Sequence, residues 1–165
     1  MREARQFGRL QTSNGSAQGA SIWSVPIDVQ RSRQKETEKQ AFIRDHMSDA
    51  SLATYLQITA SMARHTLPWV PSNSWYLSIL GIAPVCQWQG FGQTLMHPTL
   101  IEADRLGAPA YLETFTPRNM RFYRRLGFQE RAAVDESVTG ARYWIMIRKP
   151  YSQQDHQEVE HVEVR

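Results

Sequence analysis

The stretch VCQWQGFGQTL, residues 85–95, follows the apolar run WYLSILGIAP at 75–84 and opens a helical pattern. Gly90 and Gly92 stand one residue apart where that helix begins. A strand, a glycine turn and a helix N-terminus make a cradle for phosphate, because backbone N–H groups and the helix dipole converge there. Two common glycine loops lack required residues here. A nucleotide P-loop needs a Lys followed by Ser or Thr after its second glycine, and no such pair follows Gly92. A dinucleotide fingerprint needs a third glycine at the position of Leu95.

Working outward, Trp75 to Ile82 reads as a buried strand, apolar on both faces except for Ser78. Gly81 inside it suggests a bulge or the close approach of another backbone. The helix predicted after the turn runs from about Phe91 to Leu106 and is closed by Gly107. Its inward face is Leu95, Thr99, Ala103 and Leu106, and Pro98 removes one of its hydrogen bonds. Ala110 to Thr114 is a further strand. Thr116 is positioned to cap a helix with Pro117 at its first position, ending near Gly127. Phe128 to Val134 and Arg142 to Arg148 are two more strands around a turn at Thr139-Gly140. Upstream, Phe7 to Gln11 and Ala20 to Val25 flank the turn signal Thr12-Ser13-Asn14-Gly15-Ser16. Residues 29–64 carry helical spacing at Ala41, Ile43, Met47, Leu52, Tyr55, Leu56 and Met62, with a second helix starting at Asp49 or Ser51. The order of elements is that of an α/β (α+β) domain with a mixed sheet.

The length of 165 residues suits one domain, taken as 1–150, followed by the polar acidic tail YSQQDHQEVEHVEVR, expected to be disordered. No apolar stretch approaches the roughly 20 residues of a membrane helix, and the N-terminus has no apolar run after its charges. Cys86 is the only cysteine, which excludes an internal disulfide and a cysteine-rich zinc site. These features fit a cytoplasmic protein. The net charge is +3, yet residues 1–150 carry 18 basic and 12 acidic side chains, so the body suits an anionic ligand.

The spacing Gln/Arg-x-x-Gly-x-Gly/Ala, met by Gln87, Gly90 and Gly92, resembles the acetyl-coenzyme A loop of the GNAT superfamily of N-acetyltransferases. The strand before it, the interrupted helix after it and the block YLETFTPRNMRFYRRLGF at 111–128 recur there in the same order. Within the superfamily these blocks, and the ending Arg148-Lys149-Pro150, are most similar to those of the puromycin N-acetyltransferases and related small-molecule acetyltransferases. The resemblance runs from Trp75 to Pro150. It implies a mixed, mostly antiparallel central sheet flanked by helices. In the family a strand and a helix pair precede the second strand, and only about 20 residues precede Trp23. The first strand and helices are therefore expected to be missing, with an open sheet edge and dimerisation as one way to cover it. The missing helices usually wall the acceptor pocket.

The resemblance also implies site residues. The backbone from Gln87 through Trp88, Gln89, Gly90, Phe91 and Gly92 to Gln93 would bind the pyrophosphate of coenzyme A without a lysine. The pantetheine arm would pair against Leu80 to Ile82, with the Leu80 N–H facing the thioester carbonyl. Asn119 occupies the position of a residue that bonds the pantetheine arm, or is a helix-start asparagine bonding local backbone. Tyr123 takes the position of the general acid that protonates the departing thiolate. Trp88 stands where many relatives have glycine, and its indole is expected to point outward over the adenine. Glu113 is either a base for the acceptor amine or a structural partner of Arg118 or of a backbone N–H. His65 and His97 read as solvated or packing histidines, and Cys86 as a weak candidate nucleophile. Arg118, Arg121, Arg124 and Arg125 make a basic helix with no aromatic platform for nucleic acid; it reads as a solvated face, with the 3′-phosphate of coenzyme A as an anion the resemblance brings near it. The expected activity is transfer of acetyl from acetyl-coenzyme A to a small primary amine by direct attack through a tetrahedral intermediate. The alternative is a truncated, non-catalytic coenzyme A-binding or interaction protein. No metal, nucleic acid or membrane partner is implied.

Overall fold

The computed structural model describes residues 6–12 and 18–151. Most of the turn signal and the acidic tail beyond Tyr151 lie outside the described residues. Strands β1 (Gly8–Thr12) and β2 (Gly19–Ser24) form an antiparallel pair, as expected of two segments flanking a turn signal. Two helices follow, α1 (Val29–His46) and α2 (Asp49–Thr66). Asp28 caps α1, its carboxylate accepting the Arg31 N–H at 2.8 Å. Ser48, one residue before the expected start, caps α2 by accepting the Ser51 N–H at 3.3 Å. Strand β3 (Trp75–Ile82) comes next, then a short 3₁₀ turn at Pro84–Cys86 and α3 (Phe91–Arg105). β4 (Ala110–Thr114), α4 (Pro117–Arg125), β5 (Gln129–Asp135) and β6 (Arg142–Arg148) complete the order.

The six strands form one sheet in the order β1-β2-β3-β4-β6-β5. Only β3 and β4 run parallel, so the sheet is mixed and mostly antiparallel, with four helices around it. Leu77, Leu112, Met146 and Phe128 fill the main core with Met96 and Leu100 of α3 and Met120 of α4. Burying each such side chain stabilises the fold by roughly 1.5–3 kcal/mol. The other face of the sheet buries Tyr143, Ile145 and Ile147 with Met62 of α2, Val70 and Tyr111.

Several local readings are corrected. Leu106 does not face inward: α3 buries Leu95, Met96, Thr99, Leu100 and Ala103, while Leu106 is 58% exposed beyond the helix end. Thr116 occupies the cap position of α4 without a capping bond; its own N–H donates to the Thr114 hydroxyl instead. β3 is buried only at its start, since Ser78 and Ile79 are exposed. The irregularity in β3 is at Ser78, not Gly81. Leu77 pairs with Trp23 and Ile79 with Ile22, which leaves Ser78 as the extra residue, whereas Gly81 pairs regularly with Ala20. The tight backbone approach is at Gly19, where a Cβ would meet the Gly81 carbonyl oxygen at 2.7 Å.

The ending Arg148-Lys149-Pro150 has a physical reason. Arg148, only 3% exposed, donates from both Nη atoms to Asp104 of α3 at 2.6 and 2.7 Å, and from Nε to the Leu126 carbonyl at 3.0 Å. The Tyr151 N–H donates to the same Asp104 at 2.9 Å. One guanidinium thus ties β6 to α3 and to the end of α4. No described helix is long and apolar enough to cross a membrane.

Candidate active site

Parallel pairing between β3 and β4 covers only Trp75 with Ala110 and Tyr76 with Tyr111. Both strands continue beyond those pairs, so the sheet forks there. The extra residue Ser78 decides which backbone groups face the fork. Before it, the Trp75 N–H donates to Pro109 of the segment entering β4, so odd-numbered residues point toward β4. After it, the Ala83 N–H donates to Gln18 beside β2, so odd-numbered residues point toward β2. Neighbouring residues of a strand point their peptide groups to opposite edges. The bulge has therefore turned Leu80 and Ile82 into the fork, with no strand to pair them. The Ile82 carbonyl accepts the Gln87 side-chain amide across it at 3.2 Å.

A cleft of about 500 Å³ opens at the fork. Leu80 and Ile82 form one wall, and Gln87, Trp88, Gly90, Gly92 and Gln93 form its end. Asn119, Phe122 and Tyr123 of α4 stand opposite, with Arg118 and Arg125 at the rim. Nine of the expected site residues therefore meet in one place. The side chains of Gln89 and Phe91 do not line it: Gln89 donates to the Val85 carbonyl at 2.9 Å, and Phe91 begins α3.

The loop supplies donors. Gly90, at φ 84°, turns the chain into α3, and the first turn of any α-helix leaves its N–H groups without helical partners. Within the described residues, the backbone bonds of the loop use the Cys86 and Gln87 N–H groups, while those of Trp88, Gln89 and Gly90 go to no described carbonyl. A Cβ on Gly90 would meet no protein atom within 4 Å, so the space over this turn is open. A Cβ on Gly92 would meet the Phe122 ring at 3.1 Å, which fixes how closely α3 and α4 approach.

Trp88 has φ 65°, a left-handed conformation that side-chain-bearing residues rarely adopt. Its indole points outward, 80% exposed, and carries the Arg118 guanidinium 5.0 Å from its ring centre. Of the remaining basic residues on α4, Arg124 pairs with Glu130 at 3.3 Å. Tyr123 is 8% exposed, held edge-on between Phe122 and Phe128, and burial pushes its phenol pKa upward. The proton is thus retained across the neutral range. Asn119 lines the cleft, and its side chain makes no described bond to local backbone. Cys86 also lines the cleft, half-buried.

Glu113 is not in this cleft. It projects from β4 on the other face of the sheet, beside α2, while Leu112 and Thr114 are buried on the cleft side. Its partners are neither Arg118 nor a backbone N–H. The Thr66 hydroxyl donates to Oε1 and the Tyr76 hydroxyl to Oε2, the latter at 3.0 Å. Burial, then the neighbouring Glu113 charge, pushes the Tyr76 phenol well above its ordinary range; the same causes take Tyr111 to about 12. Thr66 and Tyr76 were not singled out from the sequence, because their role depends on a contact across 47 and 37 positions. His65 donates to, or accepts from, nothing in this group; its Nδ1 lies 2.8 Å from the Ser61 carbonyl. Among the described residues no cluster of three His, Cys, Asp or Glu side chains is placed to hold a metal.

Residues 26–128, more than half of the sequence, match the Acetyltransferase (GNAT) family. The chain belongs to this family. Solved GNAT-type structures share its fold. A histone acetyltransferase HPA2 and related acetyltransferase from Corynebacterium glutamicum superposes with a TM-score of 0.55 at 18% identity, covering 86% of this chain and 62% of that one. The Drosophila melanogaster polyamine N-acetyltransferase gives 0.59 at 13% identity, covering 83% and 71%. The Escherichia coli ribosomal-protein-S18-alanine N-acetyltransferase gives 0.52 at 17% identity, covering 89% and 73%. The chain spans less than two thirds of the length of the first of these. GNAT enzymes use acetyl-coenzyme A as co-substrate, and the donor-rich turn, the open space over Gly90 and the unpaired edge at Leu80 and Ile82 fit that molecule's pyrophosphate and amide arm.

Proposed function

We propose that this GNAT chain is an N-acetyltransferase that moves acetyl from acetyl-coenzyme A to a primary amine of a small molecule. The observation that carries the reading is the cleft at the fork, where the turn of α3, the freed edge of β3 and the phenol of Tyr123 converge. When bound, acetyl-coenzyme A supplies the acetyl group as a thioester and leaves as a thiol. The N–H groups from Trp88 to Gln93 and the positive end of α3 hold its pyrophosphate. Arg118 and Arg125 at the rim neutralise further phosphate charge. The Leu80 and Ile82 edge and the Asn119 amide orient the pantetheine arm, with the Leu80 N–H donating to the thioester oxygen as charge develops there. Tyr123 holds a proton for the departing sulfur, its phenol kept neutral by burial. Similarity of the 75–150 blocks to the puromycin N-acetyltransferases supports a small-molecule acceptor over a protein N-terminus.

The test is release of free thiol on mixing the protein with acetyl-coenzyme A and a panel of amines. Turnover is expected, and Tyr123→Phe lowers kcat by roughly 10²-fold or more with coenzyme A affinity unchanged, the usual range for a lost general acid. A protein that neither binds coenzyme A nor turns over any amine overturns the reading.

A further inference from the structure

Helix α4 carries more positive charge than the cleft uses. Residues three, four and seven apart share a helix face, so Arg118, Arg121 and Arg125 stand together around Phe122. All three are exposed, and α4 has no acidic side chain of its own. Among the described residues none of the three makes an ion pair. Arg124, on the other side of the helix, takes Glu130, and the remaining pairs are Arg9 with Glu102, Arg142 with Asp135 and Arg148 with Asp104. Arg118 and Arg125 reach the rim of the cleft, whereas Arg121 does not line it. The last described residue is fixed beside this helix. The Tyr151 N–H donates to Asp104 at 2.9 Å, its ring lies 4.5 Å from the Arg148 guanidinium, and its hydroxyl stands 2.8 Å from where a Cβ on Gly127 would be, just past the end of α4. From there the sequence continues as SQQDHQEVEHVEVR, whose Asp155, Glu158, Glu160 and Glu163 against Arg165 leave a balance of −3. Its 14 residues can span up to about 50 Å when extended, and α4 is only about 14 Å long.

Resting on the reading of the cleft as a coenzyme A site, we propose that the acidic segment 152–165, which lies outside the described residues, docks on the Arg118-Arg121-Arg125 face of α4 and competes there with the phosphates of coenzyme A. Three guanidiniums face four carboxylates, and a guanidinium donates readily to a carboxylate through two parallel N–H groups. Exposed ion pairs are individually weak, but attachment at Tyr151 makes their encounter intramolecular and raises the effective concentration of the segment. A guanidinium that already holds a carboxylate has those donors occupied, so the phosphates must displace the segment from Arg118 and Arg125. The apparent affinity for coenzyme A is then scaled down to the fraction of molecules whose basic face is free. Arg121, away from the cleft, serves the segment alone.

The discriminating experiment compares the full chain with a variant carrying Asp155→Asn, Glu158→Gln, Glu160→Gln and Glu163→Gln, which removes the negative charge of the segment and alters no described residue. Backbone amide shifts of α4 are read by NMR without coenzyme A, and coenzyme A affinity by calorimetry, each at low and high salt. The α4 shifts are expected to differ between the two proteins at low salt and to converge at about 0.5 M salt, where screening is nearly complete over a few ångströms. Coenzyme A should bind the neutral variant about threefold tighter or more at low salt, with the gap closed at high salt. Arg121→Gln should reproduce that tightening in the wild-type chain and add nothing in the neutral variant. Identical α4 shifts at low salt overturn the proposal, as does equal coenzyme A affinity of two proteins whose shifts differ. Shifts that ignore the charge of the segment but move on adding a single-stranded oligonucleotide give the face to nucleic acid, which also overturns it. Shifts that differ as expected in a protein that binds no coenzyme A support the docking and refute the reading of the cleft instead.

Discussion

Trp88 offers a prediction in which two effects of opposite sign can be separated. At φ 65° its backbone carries the left-handed penalty of an L-residue, about 1–2 kcal/mol. Its indole gains the contact with Arg118 at 5.0 Å, worth about 0.5–1 kcal/mol at an exposed site. Trp88→Gly removes both, and adds roughly 0.5–1 kcal/mol of unfolded-state entropy, so the net change in stability is close to zero. Trp88→Ala removes the indole but leaves most of the backbone penalty, for a net loss of about 0.5–1 kcal/mol. Denaturant unfolding should therefore rank Trp88→Gly above Trp88→Ala, although glycine is ordinarily the weaker residue. Coenzyme A affinity, measured by calorimetry, should fall less than tenfold in Trp88→Gly, about 1.4 kcal/mol at most, because the backbone N–H is retained. Two results refute the reasoning. Trp88→Ala at least as stable as Trp88→Gly would mean that the turn is not strained. A loss above a hundredfold in coenzyme A affinity would make the indole, not the backbone, the main contact of this turn.

Three further predictions concern the cradle and its supports. Gly90→Val places a branched side chain in the open space over the turn at φ 84°; coenzyme A affinity should fall at least a hundredfold and stability by about 1–2 kcal/mol, and unchanged affinity would take this turn out of the binding site. Arg148→Met strands the Asp104 carboxylate and the Leu126 carbonyl, costing about 3–5 kcal/mol, or on the order of 10 °C in Tm for a domain of this size; a scanning calorimetry shift below about 3 °C would show that the pair is dispensable. The Arg9 guanidinium, chiefly through its hydrogen bonds, holds the Glu102 carboxyl below its ordinary 4.5. That stabilising tie is complete above the ordinary value and lost as pH falls through the lowered one, so wild type should lose more Tm than Glu102→Gln between pH 5 and about pH 3.

Element placement was largely readable from the sequence because its signals are local. The runs at 75–82, 110–114 and 142–148 fall where the strands do, and a cap or glycine marks several helix ends. The glycine turn was legible for the same reason, since its geometry, with Gly90 left-handed at the start of α3, is set within six residues. Misreadings occurred where a residue's environment is set from a distance. Gly81 is the glycine of β3, yet the irregularity is at Ser78, the one polar residue of the run, because β2 pairs around it. Strand alternation puts Glu113 on the β4 face of Tyr111, but its donors come from α2 and β3, which no local pattern predicts. Glu136 carries no local sequence signal for its role. It is buried in the β5–β6 connection, accepting N–H groups of Val138 and Thr139 and the Thr139 hydroxyl, which depresses its pKa and stabilises the turn that Thr139-Gly140 announced.

The extra residue at Ser78 links these observations into one mechanism of construction. Without it, the peptide groups of Leu80 and Ile82 would point at β2 and be consumed by the β2–β3 ladder. Inserting one residue reverses the alternation, so both groups face the fork while Ala83 completes the pairing with Gln18. The same reversal keeps the Leu80 side chain against the main core, together with Trp75 and Leu77 from before the bulge. Tyr76, on the opposite face, is left free to reach Glu113. The inserted position thus turns one stretch of backbone, at Leu80 and Ile82, from the β2 ladder to the fork, while Tyr76 and Glu113 meet on the opposite face through a contact made before it.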